Sequence, residues 1–270
     1  MFTSIPTPTI SVVEIGPLTI HFYALCIITG VALAIWLGNR LFIERFPQGK
    51  GVVGDVAIAA VPAGVLGGRL YHVATTPENF FGKGGHPEDI LKIWQGGLGI
   101  WGAITLGGVA AFLSYRSLAS HRDLPKFRHF ADALAPGIVF AQAIGRWGNW
   151  FNAELFGKPT SLPWGLEIPQ WARPDGYEHF ATFHPTFLYE SLWCALVGFL
   201  LLRLRKNVAP GQLFATYVAT YCLGRAFFEY LRIDTAHHIL GLRLNIFVAA
   251  IVGVLSMVAF QRFSKSNGRV

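Results

Sequence analysis

The chain has 270 residues, of which 53% are hydrophobic and only 14% charged, with a formal net charge of +7 and a mean hydropathy of +0.44. That apolar excess is too large for a water-soluble domain of this length and identifies an integral membrane protein. The cations lie in short connections between apolar runs and not on one soluble surface, so they read as orientation signals and not as a nucleic-acid footprint.

A bilayer core needs about 20 apolar residues per helix. Seven runs approach that length, near 18–39, 52–74, 96–115, 129–150, 185–203, 211–231 and 243–262. The first follows a segment without Lys or Arg and lacks a small-residue cleavage site, so it is expected to be a retained anchor and not a signal peptide. Short cytoplasmic loops carry an excess of Lys and Arg. Arg40, Arg45 and Lys50 follow the first run, Arg116, Arg122, Lys126 and Arg128 the third, Arg203, Arg205 and Lys206 the fifth, and Arg262, Lys265 and Arg269 end the chain. The alternate connections dilute their cations: Lys83 and Lys92 stand beside Glu78, Glu88 and Asp89, and Lys158 and Arg173 beside Glu154, Glu167, Asp175 and Glu178. The expectation is an all-α integral membrane protein, one membrane domain over 1–270, with seven transmembrane helices, the N-terminus outside and the C-terminus cytoplasmic.

Two connections are too broken to be single helices. Residues 155–184 hold Pro159, Pro163, Pro169 and Pro174 with Trp164, Trp171 and Tyr177, and are expected to form a small extracytoplasmic cap. Residues 77–94 are interrupted by Gly82, Gly84, Gly85 and Pro87 before a short amphipathic piece, Glu88 to Trp94, whose indole suits a bilayer interface. Cys26, Cys194 and Cys222 each sit inside an apolar run without a metal-spaced partner and read as small core residues. The His237-His238 doublet has no further ligand spacing, so no metal site is expected. No phosphate-cradling glycine loop or nucleophile elbow occurs, and no cofactor is expected.

In this topology the unusual polar residues gather at outer ends. His21 and Tyr23 lie early in the first run, Arg69, Tyr71 and His72 late in the second, and Gln95 to Trp101 open the third. Arg146 and Asn149 close the fourth, His184, Tyr189 and Glu190 open the fifth, and Arg225, Glu229 and Arg232 close the sixth. Arg146, Asn149 and Asn152 are spaced three apart and share a helix face, with Gly145 and Gly148 leaving the neighbouring surface bare. A helix-packing corner accounts for those glycines but not for a cation, two amides and the carboxylate of Glu154 together. Arg225, Glu229 and Arg232 form one helical stripe in which Glu229 can pair either arginine; the plain reading of Arg225 with Glu229 is a structural ion pair, which leaves Arg232 as the better ligand candidate. Arg69, Arg146, Arg225 and Arg232 outnumber Glu154, Glu190 and Glu229. An outward cavity so lined wants an anion, the guanidinium fork matches phosphate, and the phosphate at hand is a phospholipid headgroup.

The stretch Gly145 to Gly157 resembles the signature of the prolipoprotein diacylglyceryl transferases: Gly-Arg-x-Gly-Asn-x-x-Asn-x-Glu-x-x-Gly stands here entire. It is joined by Phe22-Tyr23, Gly67-Gly68-Arg69-Leu70, Gly96-Gly97-Leu98, His184-Pro185-Thr186, Leu188-Tyr189-Glu190 and Phe228-Glu229-Tyr230-Leu231-Arg232. The resemblance implies a cofactor-free enzyme of the bacterial plasma (inner) membrane, with its site toward the extracytoplasmic side. Such an enzyme moves the diacylglyceryl group of phosphatidylglycerol to the lipobox cysteine of a preprolipoprotein and releases glycerol phosphate. It makes Arg146 and Arg232 the phosphate-side residues, with Tyr23, Asn149, Glu154 and Gly157 completing the site and Arg69, Asn152, Glu190, Arg225 and Glu229 in a second tier. Many relatives carry His-Gly-Gly early in the third helix, where this chain has Trp101-Gly102-Ala103. A tryptophan takes no proton from a thiol, so Tyr23, Glu154 and His184 stand as the alternative acceptors.

Two rival readings are a transporter of organic anions and a noncatalytic lipid-binding scaffold. A transport pathway needs polar groups in both halves of the membrane, and an odd helix count suits inverted repeats poorly. Formation of product separates an enzyme from a scaffold. The chain is expected to act as a monomer.

Overall fold

The computed structural model describes residues 4–16, 18–93, 96–236 and 238–267. Trp94, Gln95, His237 and Arg269, named above, lie outside the described residues. Among those described there are eight α-helices: α1 (Phe22–Arg45), α2 (Val52–Thr75), α3 (Glu78–Phe81), α4 (Ile100–Ala119), α5 (Phe127–Phe151), α6 (Thr186–Leu204), α7 (Gln212–Leu231) and α8 (Leu244–Asn267). All but the short α3 coincide with the seven apolar runs of the sequence. Four of them, α1, α2, α6 and the Leu244–Ser264 part of α8, are long and apolar enough to cross a membrane by length and composition. The other three are as long but more dilute. α4 is rich in glycine, α5 carries Asp132, Gln142, Arg146 and Asn149, and α7 carries Gln212, Arg225 and Glu229. The protein is therefore a mostly helical membrane protein whose least apolar long helices include the two that bear the arginine clusters.

The chain forms two compact units, Asn39–Phe130 and the combination of Met1–Gly38 with Ala131–Val270. In the first of these, α2 packs along α4 through bare backbone. A Cβ added to Gly67 would come within 2.3 Å of the Gly102 carbonyl oxygen, and one added to Gly102 within 2.0 Å of the Gly67 oxygen. Small residues permit this approach, which in lipid replaces the hydrophobic drive that water would supply. The Gly99 amide donates to Gly68 (2.8 Å) and joins the two helices at one end. α4 starts four residues later than the apolar run suggests, because Gly96 and Gly97 take φ of +89° and +73°, values outside a right-handed helix.

In the larger unit, α5 lies against α1. A Cβ on Gly30 would meet the Ala141 oxygen at 2.9 Å, and one on Gly137 the Ala34 oxygen at 2.8 Å. α7 packs on both α6 and α8, around a core that includes Val139, Cys194, Val197, Leu201 and Leu213. The Asp132 carboxylate accepts from the Gly211 amide (2.6 Å) and the Phe214 amide (2.8 Å), which caps the start of α7 and places an anion at its positive end.

Three antiparallel hairpins interrupt the helical pattern. β1 (Val12–Ile15) pairs with β2 (Leu18–His21), with Val12 opposite His21. The first apolar run thus opens as a strand and becomes helical only at Phe22. β3 (Leu166–Glu167) pairs with β4 (Thr182–Phe183) inside the 155–184 segment, which builds its own apolar cluster from Phe156, Leu166, Ile168 and Phe183 against Phe187. Ile5 straps this segment by donating to Gly165 and accepting from Glu167, both at 2.8 Å. β5 (His238–Ile239) pairs with β6 (Leu242–Arg243). Its two turn residues, Leu240 and Gly241, have φ of 51° and 79°, the doubly left-handed geometry of a tight hairpin turn.

The α2–α4 contact gives a direct test. Gly67→Val is expected to destabilise the protein by about 1–3 kcal/mol through overpacking, read as a lower thermal midpoint in detergent. Gly54→Ala, where a Cβ meets nothing within 4 Å, should leave the midpoint level or slightly raised.

Candidate active site

The polar residues of the larger unit converge on one buried ionic chain. Arg146, near the end of α5, places Nη2 2.8 Å from the Glu190 carboxylate on α6, and Arg225 on α7 lies 3.8 Å from the same oxygen. Arg225 reaches onward to Glu229 at 2.7 Å, one turn along α7. Glu229 is fully buried. One of its oxygens faces Arg225 and, at 3.8 Å, Arg232; the other accepts from Arg243 (2.7 Å) and Asn245 (3.1 Å). Asp234 closes the chain, taking Nε and Nη2 of Arg232 at 2.7 and 2.9 Å and Arg243 at 2.9 Å. Four arginines, 146, 225, 232 and 243, face three carboxylates, 190, 229 and 234, so the cluster holds one formal positive charge in excess.

The arginines differ in how much they have left to give. Arg232 spends both arms of its fork on Asp234. Arg146 meets Glu190 and the Tyr221 hydroxyl (3.4 Å) through Nη2 alone, and among the described residues its Nε and Nη1 donate no hydrogen bond. Arg146 thus keeps open donors, as does Arg225, whose Nε donates no hydrogen bond among the described residues, whereas Arg232 must share or exchange Asp234 to take a phosphate oxygen. Asp234 lies beyond the end of α7. Burial pushes its carboxyl up, but the hydrogen bond and charge of Arg232, joined by Arg243, outweigh that and hold it below the usual carboxylate range.

A second group surrounds Glu154. Ala153 and Leu155 on either side of it take φ of 51° and 59°, left-handed values that cost a non-glycine residue about 1–3 kcal/mol and persist where the surroundings impose them. The reversal turns the Glu154 carboxylate back onto the amides of Asn149 (2.9 Å) and Asn152 (3.3 Å). Asn152 lies one residue past the end of α5, so the helix face expected for Asn149 and Asn152 does not extend to it, yet both side chains orient one carboxylate. Glu154 and Asp234 line the same pocket of about 200 Å³. Tyr23, near the start of α1, stands against Gly148, where a Cβ would come within 2.5 Å of its ring.

Gly157 ties the ionic chain to the cap. Its amide donates to the His184 carbonyl (2.9 Å) and it bridges Arg232. A Cβ there would approach the His184 Cβ at 2.8 Å and the Leu231 oxygen at 3.2 Å, so the strands cross only over a glycine. His184 Nδ1 sits 3.2 Å from the Tyr189 hydroxyl, which accepts from Trp164 Nε1 at 2.9 Å. Burial, then the nearby Lys158 charge, lowers the His184 pKa and so favours the neutral ring.

Residues 10–262 match the family described as prolipoprotein diacylglyceryl transferase. The chain belongs to that family. It is 54% identical over 251 residues to the phosphatidylglycerol–prolipoprotein diacylglyceryl transferase 2 of Streptomyces coelicolor, covering 92% of this chain and 77% of that one. The transferase of Streptomyces griseus is 53% identical over 258 residues, covering 94% and 76%. That of Cutibacterium acnes is 51% identical over 265 residues, covering 96% and 87%.

Two features of this family member stand apart from the sequence reading. Arg69 is not an open cation. In the smaller unit its Nε donates to Ile90 (2.8 Å), its Nη1 to Gly96 (2.8 Å) and Gly97 (3.2 Å), and its Nη2 to the Asp89 carbonyl, with Phe80 stacked at 5.2 Å. It fastens the loop before α4. Conversely Tyr221, Asp234, Arg243 and Asn245 belong to the ionic chain although no local spacing marks them; the one sequence signal was an acid two residues beyond Arg232.

Arg243→Ala strands Glu229 and Asp234 beside unmatched neighbours, and removal of one partner from a buried pair costs about 3–5 kcal/mol; a thermal midpoint that stays level would show that the pairs carry no stability. The lowered Asp234 pKa fixes a pH trend. Its contribution is complete above the unfolded value of 3.8 and is lost as pH falls through the lower folded value. Asp234→Asn should remove that share of the acid-induced loss of stability, seen by comparing thermal midpoints at pH 3 and pH 6.

Proposed function

We propose that the chain transfers the diacylglyceryl group from phosphatidylglycerol to the lipobox cysteine of a preprolipoprotein, the first step of lipoprotein maturation. The sulfur attacks the glyceryl carbon that bears the phosphate. The carbon–oxygen bond to phosphate breaks, a carbon–sulfur thioether forms, and glycerol phosphate leaves with the bond's electron pair while the thiol proton passes to an acceptor. Charge grows on the leaving phosphate, so donors fixed toward it lower the barrier. The observation that carries this reading is the cluster of four arginines against three carboxylates, with the open Nε and Nη1 of Arg146 at its edge.

In this reading the seven long helices all span the bilayer of the bacterial plasma (inner) membrane, with the N-terminus outside, the C-terminus cytoplasmic and the 155–184 segment capping the outer face. The ionic chain then sits at the outer leaflet, where a lateral opening between helices admits both lipid and signal peptide. The enzyme works as a monomer and without a cofactor. Arg146 and Arg232 hold the phosphate, with Arg225, Glu190 and Glu229 aligning them and Gly157 closing the wall. One of Glu154, which is set by Asn149 and Asn152, Tyr23 and His184 takes the role that a histidine in place of Trp101 would fill.

Purified protein incubated with phosphatidylglycerol and a lipobox peptide should give the diacylglyceryl thioether and free glycerol phosphate by mass spectrometry. Arg146→Ala should lower the rate by about 10²–10³, the loss typical of one transition-state donor. A folded wild type that retains lipid but forms no thioether would overturn the transferase and favour a scaffold.

A further inference from the structure

The smaller unit holds a second pocket, unrelated to the ionic chain, of about 360 Å³. It lies between the last turns of α4 and the loop that leads into α5. Its wall is aromatic: Phe112 and Tyr115 both meet Phe127 edge-on at 5.2 and 5.4 Å. The Tyr115 hydroxyl donates to the Pro125 carbonyl at 2.6 Å, so the loop that closes the pocket is fixed to the helix. Arg116 and Lys126 stand on the rim, both exposed, and among the described residues neither has an ion-pair partner. No carboxylate lines the pocket. Of the acids nearby, Asp55 is taken by Arg122 at 3.4 Å, and Asp123 is not among the lining residues. Above the pocket along α4, Val109, Phe112 and Leu113 are 49%, 43% and 57% exposed, an unpaired apolar strip that leads straight to the cations.

We propose that this pocket binds the phosphodiester of an anionic phospholipid in the leaflet at that end of α4, with one acyl chain lying along Val109, Phe112 and Leu113. The volume falls within the range of about 300–1,000 Å³ usual for small-ligand sites. Two free cations over an aromatic floor suit a phosphate whose tail must stay in the apolar layer, as basic pockets between transmembrane helices do. In the orientation proposed above this is the cytoplasmic leaflet, and the inference does not depend on the transferase reading. Charges that only set topology would need no pocket and would select no lipid.

The test uses full-length protein in mixed micelles with phosphatidylserine or phosphatidylcholine, which carry no glycerol headgroup, and counts retained lipids by native mass spectrometry. Wild type should retain one phosphatidylserine in preference to phosphatidylcholine. Arg116→Ala with Lys126→Ala should weaken that retention about thirtyfold at low salt, from two cation contacts, while Phe112→Ala should weaken retention without changing the preference for the anionic lipid. Thioether formation should be unchanged in the double variant. Equal retention of the two lipids by wild type, or undiminished phosphatidylserine binding by the double variant, would overturn the proposal.

Discussion

The larger unit is organised by Glu229. A carboxylate with no exposed surface is tolerated only where cations and hydrogen bonds replace its lost hydration. Here Arg225 comes from the same helix, Arg243 from β6 and Asn245 from the first turn of α8. Each arginine so recruited needs a second acceptor, which brings in Glu190 at one end and Asp234 at the other. The result is an alternating chain that joins α5, α6, α7 and the β5–β6 hairpin. The same residues lower the local cost of burying charge and leave one guanidinium in surplus, the feature on which the proposed phosphate site rests.

Backbone geometry provides the second constraint. Side chains on helix faces can be aimed by spacing, but Glu154 lies past the end of α5 and is aimed by two left-handed residues, Ala153 and Leu155. Gly148 and Gly157 remove side chains where Tyr23 and the His184 strand approach. The motif Gly145 to Gly157 is therefore half chemistry and half clearance: its polar members present charge and amides, and its glycines allow other segments to come within contact distance of them.

How legible this was depends on range. The long helices follow from apolar run length, and the Arg225–Glu229 pair from an i, i+4 spacing, because both are local. The helix starts were less legible. Residues 18–21 read as the opening of an apolar run but pair as a strand with 12–15, and Gly96 and Gly97 precede α4 because Arg69, some 27 residues away, takes their carbonyls in a left-handed turn. Arg69 itself was misread for the same reason: a guanidinium bound to four carbonyls has no sequence mark that distinguishes it from a free one. Arg243 and Asp234 were overlooked because their partners lie in a helix that ended before them, and only the hairpin turn at Leu240 and Gly241 brings Arg243 back to Glu229.

The tryptophan at position 101 bears on how the thiol loses its proton. A lipobox thiol has an ordinary pKa of about 8.5, and a neighbouring cationic group lowers it. A cluster with one positive charge in excess therefore favours thiolate without a strong base, provided some neutral acceptor lies nearby. Burial and Lys158 both disfavour the charged form of His184, which suits it to that role. Glu154 already accepts two amide hydrogens, which suits it to orienting a polar partner. In the proposed transfer the division of labour is electrostatic: the arginines stabilise both the nucleophile and the leaving group as anions. That proposal asks less of a histidine at position 101 than of the arginine at position 146.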